Sequence, residues 1–457
     1  MATLAQPRTA LGEATLRYLR DLIRLDTSNP PGNEIIAAEY LAGVLRGAGI
    51  EPVVIETAPR RGNVIARLRG DGSGAPLLLY AHTDVVPAER EHWSVDPFGG
   101  VVRDGYVYGR GALDMKGILA MQLAVFLALA REIADGSLTL RRDLILAATA
   151  DEESDTNQGI GVLVTRHPDL LRAEYALSEF GGYTLHLDGK RFYPIQTAEK
   201  GNVWMRLIAQ GQPGHASVPS TRNAVLMLAQ ALLAFAQHRF RTHITPTAHV
   251  YLATLAEHLN RKQGVALRAW LETEALRSVP LEHIVRDERL AAMLHAMTHV
   301  TLTPTGLRAG YKTNVVPSQA EATLDCRTLP GMGAEAVIDE LRAVLGVSLG
   351  QHVQFVVDSE GEGVEFPFDT PLFRLLERVL RHHDPQAIPV PYMMTGGTDA
   401  KHLARLGVIC YGFSPLQLAE NEHFVELAHA HDERVSIAAL EWGVHVLYDV
   451  VRAWVSS

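Results

Sequence analysis

Leu77-Leu78-Leu79-Tyr80-Ala81-His82-Thr83-Asp84 is an apolar run that ends in a His-x-Asp pair. Such a run predicts a strand buried on both faces, as in a parallel sheet covered by helices. In open α/β sheets, ligand sites lie beyond the carboxyl ends of the strands. His82 could therefore face a metal ion while the carboxylate of Asp84 orients its ring from behind. A polar loop with a hydrogen-bonded histidine explains the same residues, so this stretch alone leaves both interpretations open.

Strand and helix patterns alternate on both sides of this run, which predicts a doubly wound α/β domain with a mixed sheet. The predicted strands are 53–55, 64–66, 77–80, 144–148, 175–177 and 408–413. The predicted helices are 11–25, 33–47, a long helix that begins after Asp114 and continues to about Arg131, 370–382 and 434–453.

The pattern changes near Glu199, where a strand with one exposed face is followed by a helix. The β-α-insertion-β-β-α-β order then predicts a small α+β lid or dimerisation domain with an antiparallel sheet. Its predicted elements are 203–208, 222–238, a helical insertion at about 251–300, 306–312, 320–327, 333–346 and 352–358. The predicted bounds are 199–363 for this inserted domain, and 1–198 with 364–457 for the discontinuous catalytic domain.

Composition restricts the class of protein. A chain of 457 residues exceeds one ordinary core, which favours two domains. The net charge of -10 argues against a nucleic-acid or anionic-membrane surface. We expect no apolar run of the roughly 20 residues that cross a bilayer, and no signal peptide. The two cysteines, Cys326 and Cys410, lack neighbours at metal or redox spacing. This indicates a reducing compartment, and we expect a cytoplasmic protein.

Two further acidic stretches follow predicted strands or loops. Asp114 lies between glycines that permit close backbone approach, as a buried metal carboxylate needs, but it could also cap the following helix. Asp151-Glu152-Glu153 ends a predicted strand, where adjacent acids repel unless a cation offsets them. Adjacent side chains point different ways, so one could bind metal and the other act as general base. A solvated acidic turn is the alternative.

Glu179 and His429 complete a candidate set, although each is weak alone. Glu179 follows an apolar run, and His429 lies in Ala428-His429-Ala430-His431-Asp432-Glu433-Arg434. Two histidines and three carboxylates suit two hydrolytic zinc ions that share one carboxylate at a separation of about 3.5–4 Å. The predicted metal ligands are His82, Asp114, Glu153, Glu179 and His429.

Four motifs carry a resemblance over nearly the whole chain, and they match in order and spacing. They are Leu79–Pro87, Gly109–Gly117, Asp151–Glu153 and Gly211–Ser217. With them the chain resembles the M20 metallopeptidase family, which includes aminoacylase, carboxypeptidase S, acetylornithine deacetylase and succinyl-diaminopimelate desuccinylase. The stretch from His429 to Arg434 is similar to the aminoacylase and carboxypeptidase S branch.

The resemblance implies two zinc ions per chain, with Co²⁺ or Mn²⁺ as possible substitutes. Asp114 would bridge both ions, with His82 and Glu179 completing one site and Glu153 and His429 the other.

The resemblance also implies catalytic roles. Glu152 would be general base and then proton donor, and Asp84 would hold His82. His215 would reach the partner's active site across a homodimer and stabilise the oxyanion, although Gly214-His215 could also be an ordinary turn.

Substrate-binding residues follow from the resemblance as well. Arg327 would bind substrate, but it could instead pair with Asp325 on a strand face. Lys401 stands where many relatives have arginine, so carboxylate recognition would be looser in geometry. Phe180 interrupts the Glu-Gly-Gly of many relatives and makes the wall beside Glu179 bulkier. The implied residues are Asn314, Arg327, Gly397, Thr398 and Lys401.

The function implied is hydrolysis of an amide or peptide bond next to a free carboxylate, as in N-acyl amino acids or short peptides. A dipeptidase or carboxypeptidase is the alternative to a deacylase, because both substrate classes present an amide beside a carboxylate. A metal-stabilised binding protein is a third class, against which Glu152 and Asp84 argue, since neither is needed merely to hold metal. No nucleic-acid or membrane partner is expected.

Overall fold

The structure is a computed structural model that describes residues 9–154 and 157–457. The chain divides into two compact units: Met1–Thr197, Phe366–Tyr392 and His402–Ser457 form the first, and Ala198–Glu365 with Met393–Lys401 form the second. These bounds lie close to the predicted ones except at 393–401, which belongs to the second unit. The reason is local, because this segment packs on the start of the second unit: the Lys200 amide donates to Met394 O at 3.1 Å.

Helices occur in both units. In the described part of the chain they are α1 (Ala10–Ile23), α2 (Ile35–Gly47), α3 (Lys116–Ala134), α4 (Ile160–Arg166), α5 (Pro168–Leu171), α6 (Ala224–Gln237), α7 (Pro246–His258), α8 (Arg261–Glu272), α9 (Glu288–Thr298), α10 (Ala334–Gly350), α11 (Pro371–His383), α12 (Ala400–Ala404), α13 (Phe424–Leu427) and α14 (Ile437–Val455).

The strands are numbered in the same way. They are β1 (Val53–Ala58), β2 (Arg61–Leu68), β3 (Leu77–His82), β4 (Val101–Arg103), β5 (Tyr106–Tyr108), β6 (Leu144–Thr149), β7 (Tyr175–Ser178), β8 (Leu185–Leu187), β9 (Lys190–Glu199), β10 (Gly201–Gln210), β11 (Gly214–His215), β12 (Thr301–Ala309), β13 (Val315–Val316), β14 (Gln319–Thr328), β15 (Val353–Gly361), β16 (Val364–Glu365), β17 (Ala387–Met394), β18 (Ile409–Gly412) and β19 (Arg434–Ser436).

A mixed sheet forms the centre of the first unit, with strand order β1-β2-β6-β3-β7-β18-β9. The central strands β6, β3, β7 and β18 are parallel, whereas β1, β2 and β9 are antiparallel to their neighbours. Helix α3 packs on β3 and β6, and α1 and α14 pack on α3. The apolar run that ends at His82 is buried along its whole length. The predicted α/β class with a mixed sheet is confirmed.

Helix α3 corrects one expectation from the sequence. By length and composition it is apolar enough to cross a membrane, although no such run was expected. In the structure 67% of its most apolar window is buried. Its packing against two helices and two strands explains this composition, because a helix enclosed on most sides has no need of a polar face.

Four strands of the first sheet, β8, β9, β16 and β17, were not predicted, and two of them contain proline. Pro194 lies in β9, and Pro389 and Pro391 lie in β17. Proline cannot donate to a ladder, so these runs do not resemble ordinary strands in sequence.

The last helix also begins later than its predicted start. Arg434–Ser436 forms β19, which pairs with β5. Ser436 then caps α14, because its Oγ accepts from the Ala439 amide at 3.0 Å.

The second unit contains an antiparallel sheet with strand order β12-β14-β10-β15. Alternate residues of β10, among them Val203, Met205 and Leu207, are buried against apolar side chains of α6 and α10. The order β10, α6, helical insertion, β12, β14, α10, β15 is the predicted α+β order. Helices α7, α8 and α9 occupy the stretch in which helices were predicted.

Candidate metal centre

Three predicted ligands follow parallel strands at one edge of the first sheet. His82 ends β3, Glu153 lies in the loop after β6, and Glu179 directly follows β7. Strand β3 is in register with both neighbours, with His82 opposite Thr149 of β6. The three side chains therefore meet at the carboxyl edge of the sheet, where sites of open α/β sheets lie.

Asp114 lies between the two predicted histidines. His82 Nε2 is 3.1 Å from Asp114 Oδ1 and 3.4 Å from Glu179 Oε2. His429 Nε2 is 3.1 Å from Asp114 Oδ2 and 3.0 Å from Glu153 Oε1. The structure thus brings all five predicted ligands together. The two oxygens of Asp114 face separate groups, which is the arrangement that a bridging carboxylate needs.

One alternative left open by the sequence does not hold. Asp114 does not cap α3, because the N-cap position is Met115 and no side-chain cap bond forms there. The histidine at the centre is His429, since His431 instead pairs with Glu89 at 2.9 Å.

The donor set fits two divalent cations. Zn–N and Zn–O bonds of about 2.0–2.2 Å place tetrahedral neighbours about 3.4 Å apart. The four separations between ligand atoms lie between 3.0 and 3.4 Å. Among the described residues, neither oxygen of the buried Glu179 accepts a hydrogen bond, and Oε2 meets His82 Nε2 only at 3.4 Å, which is costly unless a cation offsets the charge. Ligand atoms of Glu152, Glu179 and His82 also lie within 4.8 Å of one another. Glu152, the predicted general base, is thus beside the cluster.

The close packing of buried charged groups raises the pKa values of several of the predicted ligands. Burial raises the pKa of Glu179 to about 8. Hydrogen bonds with Asp114 and Glu153 raise the pKa of His429 to about 10. Burial opposes protonation of His82, yet Glu179 and Asp114 hold its pKa well above its usual value. Because protons compete with a cation for these groups, metal binding is expected to release protons.

Asp84 differs in detail from its predicted role. The ring of His82 contacts the Asp84 backbone carbonyl through Nδ1 at 3.0 Å, and the carboxylate only at 3.5 Å. The carboxylate instead accepts the backbone amides of Glu152 at 3.2 Å and Glu153 at 3.0 Å. Asp84 therefore orients the histidine mainly through its backbone, and its side chain holds the acidic loop.

A buried network beside this loop was missed from the sequence. Asn29 Nδ2 donates to Asp84 at 2.8 Å and to Asp151 at 3.1 Å. Arg61 pairs with Asp151 at 2.5 Å and with Glu34 at 3.0 Å. Burial raises the pKa of Glu34 to about 7. The sequence signal was limited to Asn29, in a Pro- and Gly-rich stretch that indicates only a helix break.

In the second unit, His215 lies in β11, and Asn314 directly precedes β13, the strand that pairs with β11. His215 pairs with Val315, and the Ala216 amide donates to Asn314 O at 3.1 Å. The Ser217 amide donates to His215 Nδ1 at 3.2 Å. An acceptor Nδ1 leaves the proton of the neutral ring on Nε2. Both predicted residues are exposed.

Arg327 forms the strand-face pair that the sequence left as an alternative. Its Nε and Nη2 donate to the two oxygens of Asp325 at 2.7 and 2.9 Å. A role of Arg327 in substrate binding stays a prediction.

The remaining predicted residues lie on the 393–401 segment. The amide and hydroxyl of Thr398 donate to Glu199 Oε2 at 3.0 and 2.6 Å, so this hydroxyl holds the segment in place. Burial raises the pKa of Glu199 to about 7, against the opposing charge of Lys401. Gly397 and Lys401 are partly exposed.

Several known proteins are similar to this chain in sequence or in fold. Aminoacylase-1 of Sus scrofa is 29% identical over 462 residues, which cover 97% of this chain and 95% of the relative. The N-fatty-acyl-amino acid synthase/hydrolase PM20D1 of Xenopus tropicalis is 29% identical over 390 residues, which cover 82% of this chain and 72% of the relative. A solved structure, the M20 family metallo-carboxypeptidase Sso-CP2 from Sulfolobus solfataricus, is similar in fold with a TM-score of 0.71 and 18% identity. That similarity covers 96% of this chain and 98% of the other.

The family itself is shown by a sequence model of Peptidase family M20/M25/M40, which matches residues 78–453. The matched stretch contains Asp114 and the four other predicted ligands that meet around it. The predicted M20 resemblance is confirmed, and so is the prediction of an enzyme. The chain therefore belongs to Peptidase family M20/M25/M40 and is a metal-dependent amidohydrolase.

Proposed function

We propose that this enzyme hydrolyses the amide bond of N-acyl amino acids with two zinc ions at the Asp114 cluster. The observation that carries the proposal is the placement of Asp114, whose two oxygens each lie 3.1 Å from a different histidine. The acyl-amino-acid class is supported by the names of the two relatives, one of which matches almost end to end.

Bound metal ions would supply Lewis acidity, which polarises a carbonyl and lowers the pKa of water. His82, Glu179, Glu153 and His429 would hold them, with Asp114 between. Glu152 would take the proton of the attacking water and later deliver it to the leaving amine. Support for this role comes from its position within 4.8 Å of His82 and Glu179 ligand atoms, and from Asp84, which fixes its backbone.

We also propose that the enzyme is a homodimer in which His215 acts in the partner's active site. An oxyanion needs a hydrogen-bond donor at the place where its charge develops. The contacts of His215 support this role: Ser217 engages Nδ1 through its amide at 3.2 Å and its hydroxyl at 2.7 Å, so Nε2–H would be the donor.

Recognition of the substrate carboxylate is assigned to the second unit. Lys401 would supply a positive point charge, and the Thr398–Glu199 bonds would hold its segment in a fixed conformation. Asn314 and Gly397 would supply polar and backbone groups. A lysine lacks the planar fork of arginine, so we propose a looser carboxylate geometry here. Cleavage of dipeptides, which present the same amide beside a carboxylate, is the second candidate.

Metal removal is expected to abolish activity on N-acetyl amino acids, and Zn²⁺ should restore it. The loss should reach at least about a hundred-fold, because metal stabilisation of the transition state is worth several kcal/mol and each 1.36 kcal/mol is about tenfold in rate. The measurement is the hydrolysis rate after chelation and after addition of Zn²⁺, Co²⁺ or Mn²⁺.

A comparison of related substrates distinguishes a deacylase of N-acyl amino acids from a dipeptidase. N-acetyl, N-succinyl and N-fatty-acyl amino acids are compared with dipeptides, and each is compared with its C-terminal amide. Faster cleavage of dipeptides would favour the second candidate. Equal rates on the C-terminal amides would contradict recognition of a free carboxylate.

A further inference from the structure

We propose that the ion pair between Glu433 and Arg110 positions Asp114 and His429 as ligands and thereby sets the metal affinity of the centre. We call this pair the Glu433–Arg110 clasp. The inference rests on the proposed metal centre and assigns a positioning role to two residues outside the ligand set. The sequence contained Glu433 within the motif that ends at Arg434, but gave it no role.

A short ladder brings Glu433 to the Asp114 loop. Strand β19 pairs antiparallel with β5, with Arg434 opposite Tyr108. The ladder continues by one step, because the Gly109 amide donates to the Glu433 carbonyl at 3.0 Å. Glu433 is therefore fixed by backbone pairing at the point where the Gly109–Asp114 loop leaves β5.

The Glu433 carboxylate organises this loop from a fully buried position. One oxygen accepts the amides of Leu113 at 2.8 Å and Asp114 at 3.2 Å. The other accepts the Gly111 amide at 3.1 Å and Arg110 Nη1 at 2.8 Å. A carboxylate offers about four acceptor positions, so these donors satisfy it. The bond to the Asp114 amide fixes the backbone of the residue that lies between both histidines.

Arg110 connects the same loop to the second ligand. Its guanidinium donates to the carbonyl of His429 through Nη2 at 3.1 Å and to that of Ala430 through Nη1 at 3.1 Å. His429 has a left-handed backbone with φ of 62°. Such a conformation persists in a residue other than glycine only where its surroundings hold it. The planar fork of arginine reaches one carboxylate and two carbonyls at once.

The clasp thus links the loops of Asp114 and His429. The side chains of these two residues must stay close enough to bind the same metal ion, and His429 Nε2 lies 3.1 Å from Asp114 Oδ2. Groups that orient metal ligands typically change metal affinity by about 10–100-fold when they are replaced. A purely structural ion pair would lower stability without this selective loss. The first unit offers such a pair for comparison. Asp384 is buried and accepts Arg191 Nε at 2.6 Å and Nη2 at 2.5 Å.

The test measures Zn²⁺ affinity of the metal-free full-length chain by competition with a chromophoric chelator, together with thermal unfolding before metal is added. Glu433→Gln is expected to bind Zn²⁺ about 10–100-fold more weakly than the unmodified chain. Arg110→Lys should also bind more weakly, because an ammonium group cannot replace the guanidinium fork. Asp384→Asn should lose thermal stability but keep its Zn²⁺ affinity within about twofold, since distant sites act independently.

The outcomes separate the clasp from the proposed function. Unchanged Zn²⁺ affinity in both clasp variants, or an equal loss in Asp384→Asn, would overturn the clasp. If Glu433→Gln does not fold, Arg110→Lys decides the question. Failure of the unmodified chain to bind Zn²⁺ would overturn the proposed metal centre itself.

Discussion

Glu152→Gln is expected to lower kcat by about 10²–10⁴-fold, the usual contribution of a general acid–base group. The amide of glutamine has nearly the same shape but can neither take the proton of water nor return it to the amine. The backbone should stay in place, because the Glu152 amide is held by Asp84 at 3.2 Å. The measurement is kcat on the best N-acyl amino acid, together with metal content by mass spectrometry.

The adjacent acid provides the control. Glu153→Gln removes a carboxylate 3.0 Å from His429 Nε2, so this variant should lose metal as well as activity. Glu152→Gln should instead keep the metal content of the unmodified chain. If Glu152→Gln retained more than a tenth of wild-type kcat, or lost its metal, another residue would have to be the base.

Mixing two inactive variants is expected to restore activity if the active site is shared between subunits. His215→Ala alone should lower kcat by about 10²–10³-fold, the cost of one oxyanion donor. In a mixed dimer with Glu152→Gln, one site has an intact Glu152 and receives His215 from the other subunit. Random pairing should give about a quarter of wild-type activity, because half of the dimers are mixed and each has one complete site.

Subunit exchange must be verified by two distinguishable tags. A matched mixture of His215→Ala with the double variant His215→Ala/Glu152→Gln contains no complete site and should stay inactive. Confirmed mixed dimers without recovered activity would contradict the shared site. They would leave the assignment of Glu152 untouched, since that rests on its own variant.

Much of the fold could be predicted, because the spacing of apolar residues along the chain indicates which faces of a helix or strand are buried. The run that ends at His82 predicted a doubly buried strand, and the structure contains one there. Strands β9 and β17 were missed because they contain prolines, which are uncommon within strands. They form strands through pairing with their neighbours in the sheet, which the local sequence does not show. Residues 434–436 were predicted as helix because the apolar pattern that follows has helical spacing. Their pairing with β5 depends on a segment far away in sequence.

The five candidate metal ligands were named from the sequence, through motif order and strand ends, and the structure brings their side chains together. What only the tertiary structure decided is how these residues share their contacts. Asp84 holds His82 chiefly by its backbone, Arg327 is paired with Asp325, and Glu433 joins two ligand loops. The physical reason is that a motif specifies donors and acceptors, whereas hydrogen bonds are directional and short. Which donor meets which acceptor is set by strand register and loop packing, which one local stretch of sequence does not contain.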